Sequence, residues 1–500
     1  MCMNMHGARG FCPFSSNFLS SNKLAFGHAL CYNGIMDAIA KKQSLAGHIS
    51  VPGSKSHTIR ALILATLAEG RSIIHNPLPS ADCLSTATAV PLIGAEVDLD
   101  INTEGLCGTS WVVTGAGARI HLPTDVVNVG NSGSLLYFLS PIAATFDGWS
   151  VFTGDESIRS RPVDHVVDVI RQMGGEAYIS QPNAKGCPLI VRGPVSAPKK
   201  INTPGSVSSQ YISGLMMAAL LMKEPLEIEL TAPTETPYLT MTKWWLEGIG
   251  AKVSISDDFK HISVAAPREF KAFERTIPSD WEAVAYPLIA ALLTDAEVVI
   301  ENIDGSGIQG DDAIVSILQS VNADIAWDKE KETLTVRGGK KAGNGLGRLS
   351  TEHLPGGELH VAMSSFPDAI CALSAIACFI EGTTVLEDAA VCRRKETDRI
   401  AVLKKELEQL GADVEEGEDF LVIHGHSPVC ADGTPNAAFT LHGGIVESYG
   451  DHRIAMALSC LGLGLRANDR LIVRNAECCS VSFPHFFEEM NKIGANFEER

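Results

Sequence analysis

No run of eighteen apolar residues occurs in this chain, so the sequence offers no segment to span a membrane as a helix. CxxC pairs are absent, and so is any Cys/His spacing of the zinc-binding kind, although thirteen cysteines are scattered from Cys2 to Cys479. An odd number of unpaired thiols reads as reduced cysteine in a cytoplasmic enzyme without a metal site, not as a disulfide framework. Nor is there a Walker A pattern. Bases are in deficit, with 40 Lys+Arg against 59 Asp+Glu for a net charge of −19. That balance disfavours nucleic acid and anionic membrane as partners, and any anionic ligand would need bases concentrated locally. What is present is ordinary for a globular protein: 45% hydrophobic and 20% charged residues over 500 positions. Disorder, collagen and coiled coil are excluded for the chain as a whole, and the length suggests roughly two to four domains.

Residues 1–35 stand apart, with no Asp or Glu and only Arg9 and Lys23 as strong bases. A targeting peptide could have this composition, but its Arg content is low. A disordered tail or a mis-set start, with Met36 opening the first segment of domain character, is the plainer reading.

The rest of the sequence repeats itself. A small-residue pair closes a helical pattern at Gly94-Ala95, Gly174-Gly175, Gly250-Ala251, Asn322-Ala323, Gly411-Ala412 and Gly494-Ala495, at separations of 80, 76, 72, 89 and 83. Each pair follows an amphipathic run such as DHVVDVIRQM or DAIVSILQSV, so each marks a left-handed C-cap, and a short apolar strand follows. Upstream of each run lies another strand (RSIIHN, WSVFTG, LEIELT, EVVIEN, TTVLED, RLIVRN). Upstream again lies a second helix, such as QYISGLMMAALL or RIAMALSCLGLGL, with no polar face and therefore buried. Six units of strand, buried helix, strand, amphipathic helix and strand divide three plus three into two similar domains. The polar stretch around 271–279 is a crossing point, and the residues before Val51 supply the other. This predicts one three-unit domain over 52–277 and a second over 36–51 plus 278–500.

The six buried helices begin in polar sequence: PGSKSHTIR (52–60), GNSGS (130–134), GSVSSQ (205–210), PSDWE (278–282), FPDA (366–369) and YGDHR (449–453). A helix amino end presents free N–H groups and a partial positive charge suited to phosphate or carboxylate. Ser, Asn and Asp at such places can equally be plain N-caps. Lys55, Arg60 and Arg453 favour a ligand, because capping needs no cation and the helix dipole disfavours one there. CRRKETDR (392–399) adds Arg393, Arg394, Lys395 and Arg399, with Lys395 and Arg399 on one helix face; a solvated, salt-bridged helix start would look the same. ESIRSRP adds Arg159 and Arg161. GSGIQG (305–310) fits GxGxxG between a strand and a helix, but a single match at a turn shared with the other repeats is a weak dinucleotide signal.

With PGSKS and Arg60, SVSSQ, FPDA, RKETDR and GDHR in this order, the chain resembles the 5-enolpyruvylshikimate-3-phosphate synthases over about residues 45–490. The resemblance implies an α/β fold, a two-domain inside-out α/β barrel with three βαβαββ units per domain around a pseudo-threefold axis. It implies a cytoplasmic monomer, without cofactor or metal, that transfers the enolpyruvyl group of phosphoenolpyruvate to the 5-hydroxyl of shikimate 3-phosphate. By position, Lys55, Gln210, Arg399 and Arg453 would contact phosphoenolpyruvate. Ser56, Arg60, Ser208, Ser209, Asp368 and Lys395 would hold shikimate 3-phosphate, with Asn131, Gly133 and Tyr238 at further substrate positions. Lys55, Asp368 and Glu396 would be catalytic, Asp368 taking the hydroxyl proton and Glu396 protonating the methylene carbon.

The chain departs from that pattern. Family arginines fall at Tyr137 and Ser157, a lysine at Val481, an asparagine at Val391 and a phosphate-contacting serine at Glu235. Arg159, Arg161, Arg393 and Arg394 are candidate replacements for the lost cations. Three other readings stay open. One is the UDP-N-acetylglucosamine enolpyruvyl transferases, which share SRPVDH (160–165) but carry a Cys ahead of it that GDESIR lacks. The others are an enolpyruvyl transferase acting on another cyclic alcohol, and a non-catalytic anion-binding relative.

Overall fold

The computed structural model describes residues 36–99, 109–196, 198 and 200–500; the reading of residues 1–35 lies outside them. The six buried helices are α1 (Lys55–Leu67), α2 (Gly133–Ala143), α3 (Ser209–Ala218), α4 (Trp281–Leu292), α5 (Ile370–Ala377) and α6 (His452–Gly464). Apolar on every side, they have no face to offer water. All residues of α2, α4, α5 and α6 are buried.

Four of these helices, α2, α3, α5 and α6, link two parallel strands of one sheet. In the third unit Ile201–Thr203 pairs parallel with Leu226–Leu230 across α3, and the hairpin Lys252–Ile255/His261–Ala265 completes the sheet antiparallel. There are six such sheets among the described residues, five of four strands and one of five. The sequence reading had one strand after each amphipathic helix; five units have a hairpin there, whose second strand carries no signal distinct from the loop before it, and in the sixth Glu498–Glu499 pairs with Ala38–Lys41 instead. The expected left-handed caps are present, with φ between 71° and 107° at Gly94, Gly174, Gly250, Asn322, Gly411 and Gly494.

Two strands are exchanged. Ala46–Ser50, just ahead of α1, pairs with Glu297–Glu301 of the fourth unit, whereas Glu274–Thr276, just ahead of α4, pairs with Glu69–His75 of the first. The chain thus passes between the two sheets twice, and the passages lie side by side through an antiparallel bridge between Gly53 and Ser279. Two hydrophobic cores result. One runs from Ile59 to Ile277, and the other joins Ala38–Val51 to Trp281–Phe497.

The helices of each core approach closely. Pro141, inside α2, has no N–H to give the Tyr137 carbonyl. Gly214 of α3 packs against that carbonyl so tightly that a Cβ would lie 2.1 Å from it. Gly214→Ala is therefore expected to destabilise the protein by about 1–3 kcal/mol, although Ala is the better helix former, as a shift in urea midpoint would show.

Among the described residues three imidazoles are buried. His57 accepts a hydrogen bond from Trp245 Nε1 at 3.0 Å, and burial, aided by Arg60, pushes its pKa down to about 3. Burial likewise pushes His165 and His452 down to about 4. These groups are neutral when folded but protonate below about 6.5 when unfolded, so their contribution is complete above that pH and is lost as pH falls towards 4. Each should cost about 2 kcal/mol at pH 5. Urea unfolding at pH 7.5 and pH 5 should show the drop, and His57→Gln should remove about a third of it.

Candidate active site

The starts of the buried helices meet where the two cores face each other. Four are capped by their own side chains. Ser132 Oγ accepts from Leu135 N, Ser208 Oγ from Gln210 N, Asp280 Oδ1 from Glu282 N and Asp451 Oδ1 from Arg453 N, at 3.0–3.2 Å. The capping reading holds at these four ends, yet the cations stand beside them as well. Asp280 also accepts from Lys55 N through Oδ2 at 3.0 Å, so one carboxylate ties α4 to α1 across the crossing.

The cleft between them is lined from one side by Lys55, Ser56, Arg60, Arg161, Ser208, Ser209, Gln210, Glu235 and Tyr238. From the other side come Glu282, Asp368, Arg394, Lys395, Glu396 and Arg453. Arg60 is buried, donating to Thr242 Oγ1 (2.9 Å), Ser56 O (3.0 Å) and Tyr238 O (3.3 Å), with its guanidinium 4.8 Å from the Phe138 ring centre. No carboxylate pairs with it among the described residues, and burial pulls its pKa down to about 9. Lys55 Nζ lies 3.5 Å from Asp82.

Arg399 is fully buried behind the lining, not in it. It reaches Asp451 Oδ2 through Nε (2.8 Å), Glu396 Oε2 through Nη2 (2.7 Å) and Asp368 through Nη1. Burial would raise the Asp368 pKa, but Lys395 and Arg399 outweigh it and hold it at about 2. Glu396 is held well below the usual carboxylate range, burial being outweighed by Arg161 (2.9 Å away) and Arg399. Both carboxylates are thus ionised. Lys395 Nζ sits 2.6 Å from Glu235 and 3.7 Å from Asp368. Arg453 pairs with Glu282, which also accepts from the Tyr238 hydroxyl, and its Nε is 3.4 Å from Asp368.

The remaining expected residues fall elsewhere. Asn131 does not line the cleft but donates to Asp155 at 2.6 Å, and Gly133 lies beneath Arg161, where a Cβ would meet Nη1 at 2.5 Å. Of the four candidate replacement cations, Arg161 and Arg394 line the cleft. Arg159 does not: it is exposed and donates to Gly154 O at 2.7 Å. Arg393 is turned away by Asp398 and Glu416, both within 2.9 Å. In GSGIQG, Gln309 accepts from Trp281 N and donates to Ser279 O, bracing the start of α4 on a largely antiparallel sheet that has no Rossmann order. Sequence reasoning passed over Glu282, Asp280 and Asp451, although all three lay in quoted helix starts. Asp82 had no signal beyond following Ser80.

The architecture is that of the enolpyruvyl transferases. The enolpyruvyl transferase NikO from Streptomyces tendae superposes with a TM-score of 0.70 over 93% of this chain and 99% of its own, at 16% identity, a likeness of fold alone. An EPSP synthase structure from Acinetobacter baumannii gives 0.72 over 93% of this chain and 100% of its own, at 26% identity. The family model EPSP synthase (3-phosphoshikimate 1-carboxyvinyltransferase) matches residues 39–490. Proteins named 3-phosphoshikimate 1-carboxyvinyltransferase are 35% identical in Ruminiclostridium cellulolyticum and 32% identical in Methanocaldococcus jannaschii, each over 92% of this chain and 98% of the relative. This chain belongs to the EPSP synthase family.

Removing Arg399 would leave the buried Asp451 and the half-buried Asp368 and Glu396 without their shared cation. Arg399→Met is expected to cost about 3–5 kcal/mol of stability at pH 7.5. The loss should shrink towards pH 5, as the freed carboxyls take up protons, and urea unfolding at the two pH values checks both.

Proposed function

We propose that this chain transfers the enolpyruvyl group of phosphoenolpyruvate to the 5-hydroxyl of shikimate 3-phosphate, releasing phosphate, the shikimate-pathway step on the way to chorismate and the aromatic amino acids. One observation carries the reading beyond family membership: Asp368 and Glu396, both ionised, stand in one cleft among Lys55, Arg161, Lys395 and Arg453. Two polyanionic substrates need that many cations in a place poor in water.

Asp368, ionised and beside Lys395, is placed to take the hydroxyl proton as the oxygen attacks. Glu396 would protonate the methylene carbon of the donor and must first gain a proton. A donor anion seated against Arg161 weakens that cation's hold on Glu396 and adds negative charge beside it, and both raise the carboxyl pKa. Carbon protonation leaves an electron-poor centre, the hydroxyl adds to it, and the tetrahedral intermediate expels phosphate as a proton leaves the new methyl group. One carboxylate kept ionised and another that protonates on binding serve that sequence. Arg161, Arg394, Lys55 and Arg453 would take the donor's charge, and Arg60, Ser208, Ser209 and Lys395 the acceptor's. Residues 52–277 and 36–51 plus 278–500 would act as two domains closing over both substrates. A cytoplasmic monomer that takes small molecules, not nucleic acid or membrane, suits this role.

Phosphate release measured with both substrates and with each omitted tests the reading; release must require both. Asp368→Ala should abolish turnover while shikimate 3-phosphate binding stays measurable. Arg161→Ala should raise the phosphoenolpyruvate KM by about tenfold or more, whereas Arg159→Ala should leave it within about twofold. Equal effects of the two would remove Arg161 from the donor site.

A further inference from the structure

The acceptor's half of the cleft already holds an anion, and it belongs to the chain. Glu235 is buried, with only 2% of its surface exposed, at the left-handed residue (φ 52°) that opens the helix Thr236–Glu247. Its Oε2 accepts from Ser208 Oγ (3.0 Å), Ser209 N (2.8 Å) and Ser209 Oγ (3.1 Å), and its Oε1 accepts from Lys395 Nζ (2.6 Å). Two hydroxyls, a free N–H at the start of α3 and an ammonium converging on one pair of oxygens form a complete oxyanion cradle. A plain N-cap would need none of it, since Ser208 Oγ already accepts from Gln210 N. Nor does Lys395 need Glu235 as its counter-ion, for Asp368 lies 3.7 Å from the same nitrogen.

We infer that Glu235 is a specificity-determining residue, a tethered carboxylate that competes with the acceptor's phosphate for the cradle of Ser208, Ser209 and Lys395. The inference rests on the proposed acceptor. A phosphate cannot share the cradle with a carboxylate at hydrogen-bond distance from the same donors, because two anions there repel and the four donor contacts serve one group at a time. Acceptor binding therefore carries the cost of freeing Glu235 from four charge-assisted contacts. An acceptor without a phosphate carries no such cost. Glu235 thus narrows the gap in affinity between phosphorylated and unphosphorylated acceptors.

The test is titration calorimetry of the full chain with shikimate 3-phosphate and, separately, with shikimate, for wild type, Glu235→Ser and Glu235→Gln. Glu235→Ser should tighten shikimate 3-phosphate by about tenfold or more, Glu235→Gln by less, and shikimate should shift by no more than about twofold in either. If both variants bind shikimate 3-phosphate no better than wild type, Glu235 only holds Lys395 in place and the inference fails. An equal gain for both ligands refutes it too, since competition acts on the phosphate alone. Glu235→Gln preserves the shape of the side chain and keeps the test open should Glu235→Ser fold poorly. Phosphate release by wild type separates the two claims. Release without selective tightening sinks the inference and leaves the proposed function standing; selective tightening without release does the reverse.

Discussion

Arg399, itself fully buried, holds three carboxylates at once, Asp451 behind the cleft and Asp368 and Glu396 at its wall, and the chemistry of the cleft depends on that arrangement. Asp451 and Arg399 are both fully buried, and an ion in such a place survives only when paired in good geometry with its remaining lone pairs satisfied. Asp451 meets that demand twice over, taking Arg399 on both oxygens and the Arg453 N–H at the start of α6. One guanidinium therefore fixes Asp368 and Glu396 directly and presents Arg453 through Asp451. The low carboxyl pKa values follow from Lys395 at Asp368 and Arg161 at Glu396, with Arg399 adding to both.

The exchange of strands between the first and fourth units gives the two cores a common seam. Because Ala46–Ser50 and Glu274–Thr276 each run into the other core before their helices begin, α1 and α4 start next to one another. Asp280 can then cap α4 and hold the first N–H of α1 with one carboxylate. Lys55 is aimed from α1 and Arg453 from α6, so cations that are 398 positions apart share a cleft. Without the double crossing, the helix starts of each core would make separate cradles.

Periodicity made the fold legible. The six helices without a polar face, and the six small-residue pairs behind the amphipathic runs, carry signals that burial and left-handed geometry impose on any sequence. The hairpins were less visible, since strands such as Lys252–Ile255 are short and half polar. In the site, cations beside helix starts were legible because capping does not call for them. Their carboxylate partners were not, since Asp280, Glu282 and Asp451 satisfy the pattern of an ordinary N-terminal turn and nothing in one dimension says which cation each will meet. Arg159 and Arg161 show the same limit. Two residues apart in ESIRSRP, one faces solvent beside the Gly154 carbonyl and the other meets Glu396 from a position 235 residues away.

The departures from the family pattern make physical sense as a set. Of the positions concerned, Tyr137 lines the cleft without charge, and Glu235 adds negative charge to it. An empty cleft crowded with uncompensated cations would repel itself and weaken the folded state. Here nearly every cation has an acid of its own: Lys55 with Asp82, Arg161 with Glu396, Lys395 with Glu235 and Arg453 with Glu282. Binding in such a cleft is an exchange of internal anions for external ones, and what it yields is the difference between the two. Two lining cations have no acid partner among the described residues: Arg394, which is exposed, and Arg60, which is desolvated and held by hydroxyl and carbonyl oxygens alone. Arg60 has no acid to give up, so an anion reaching it would displace no internal carboxylate.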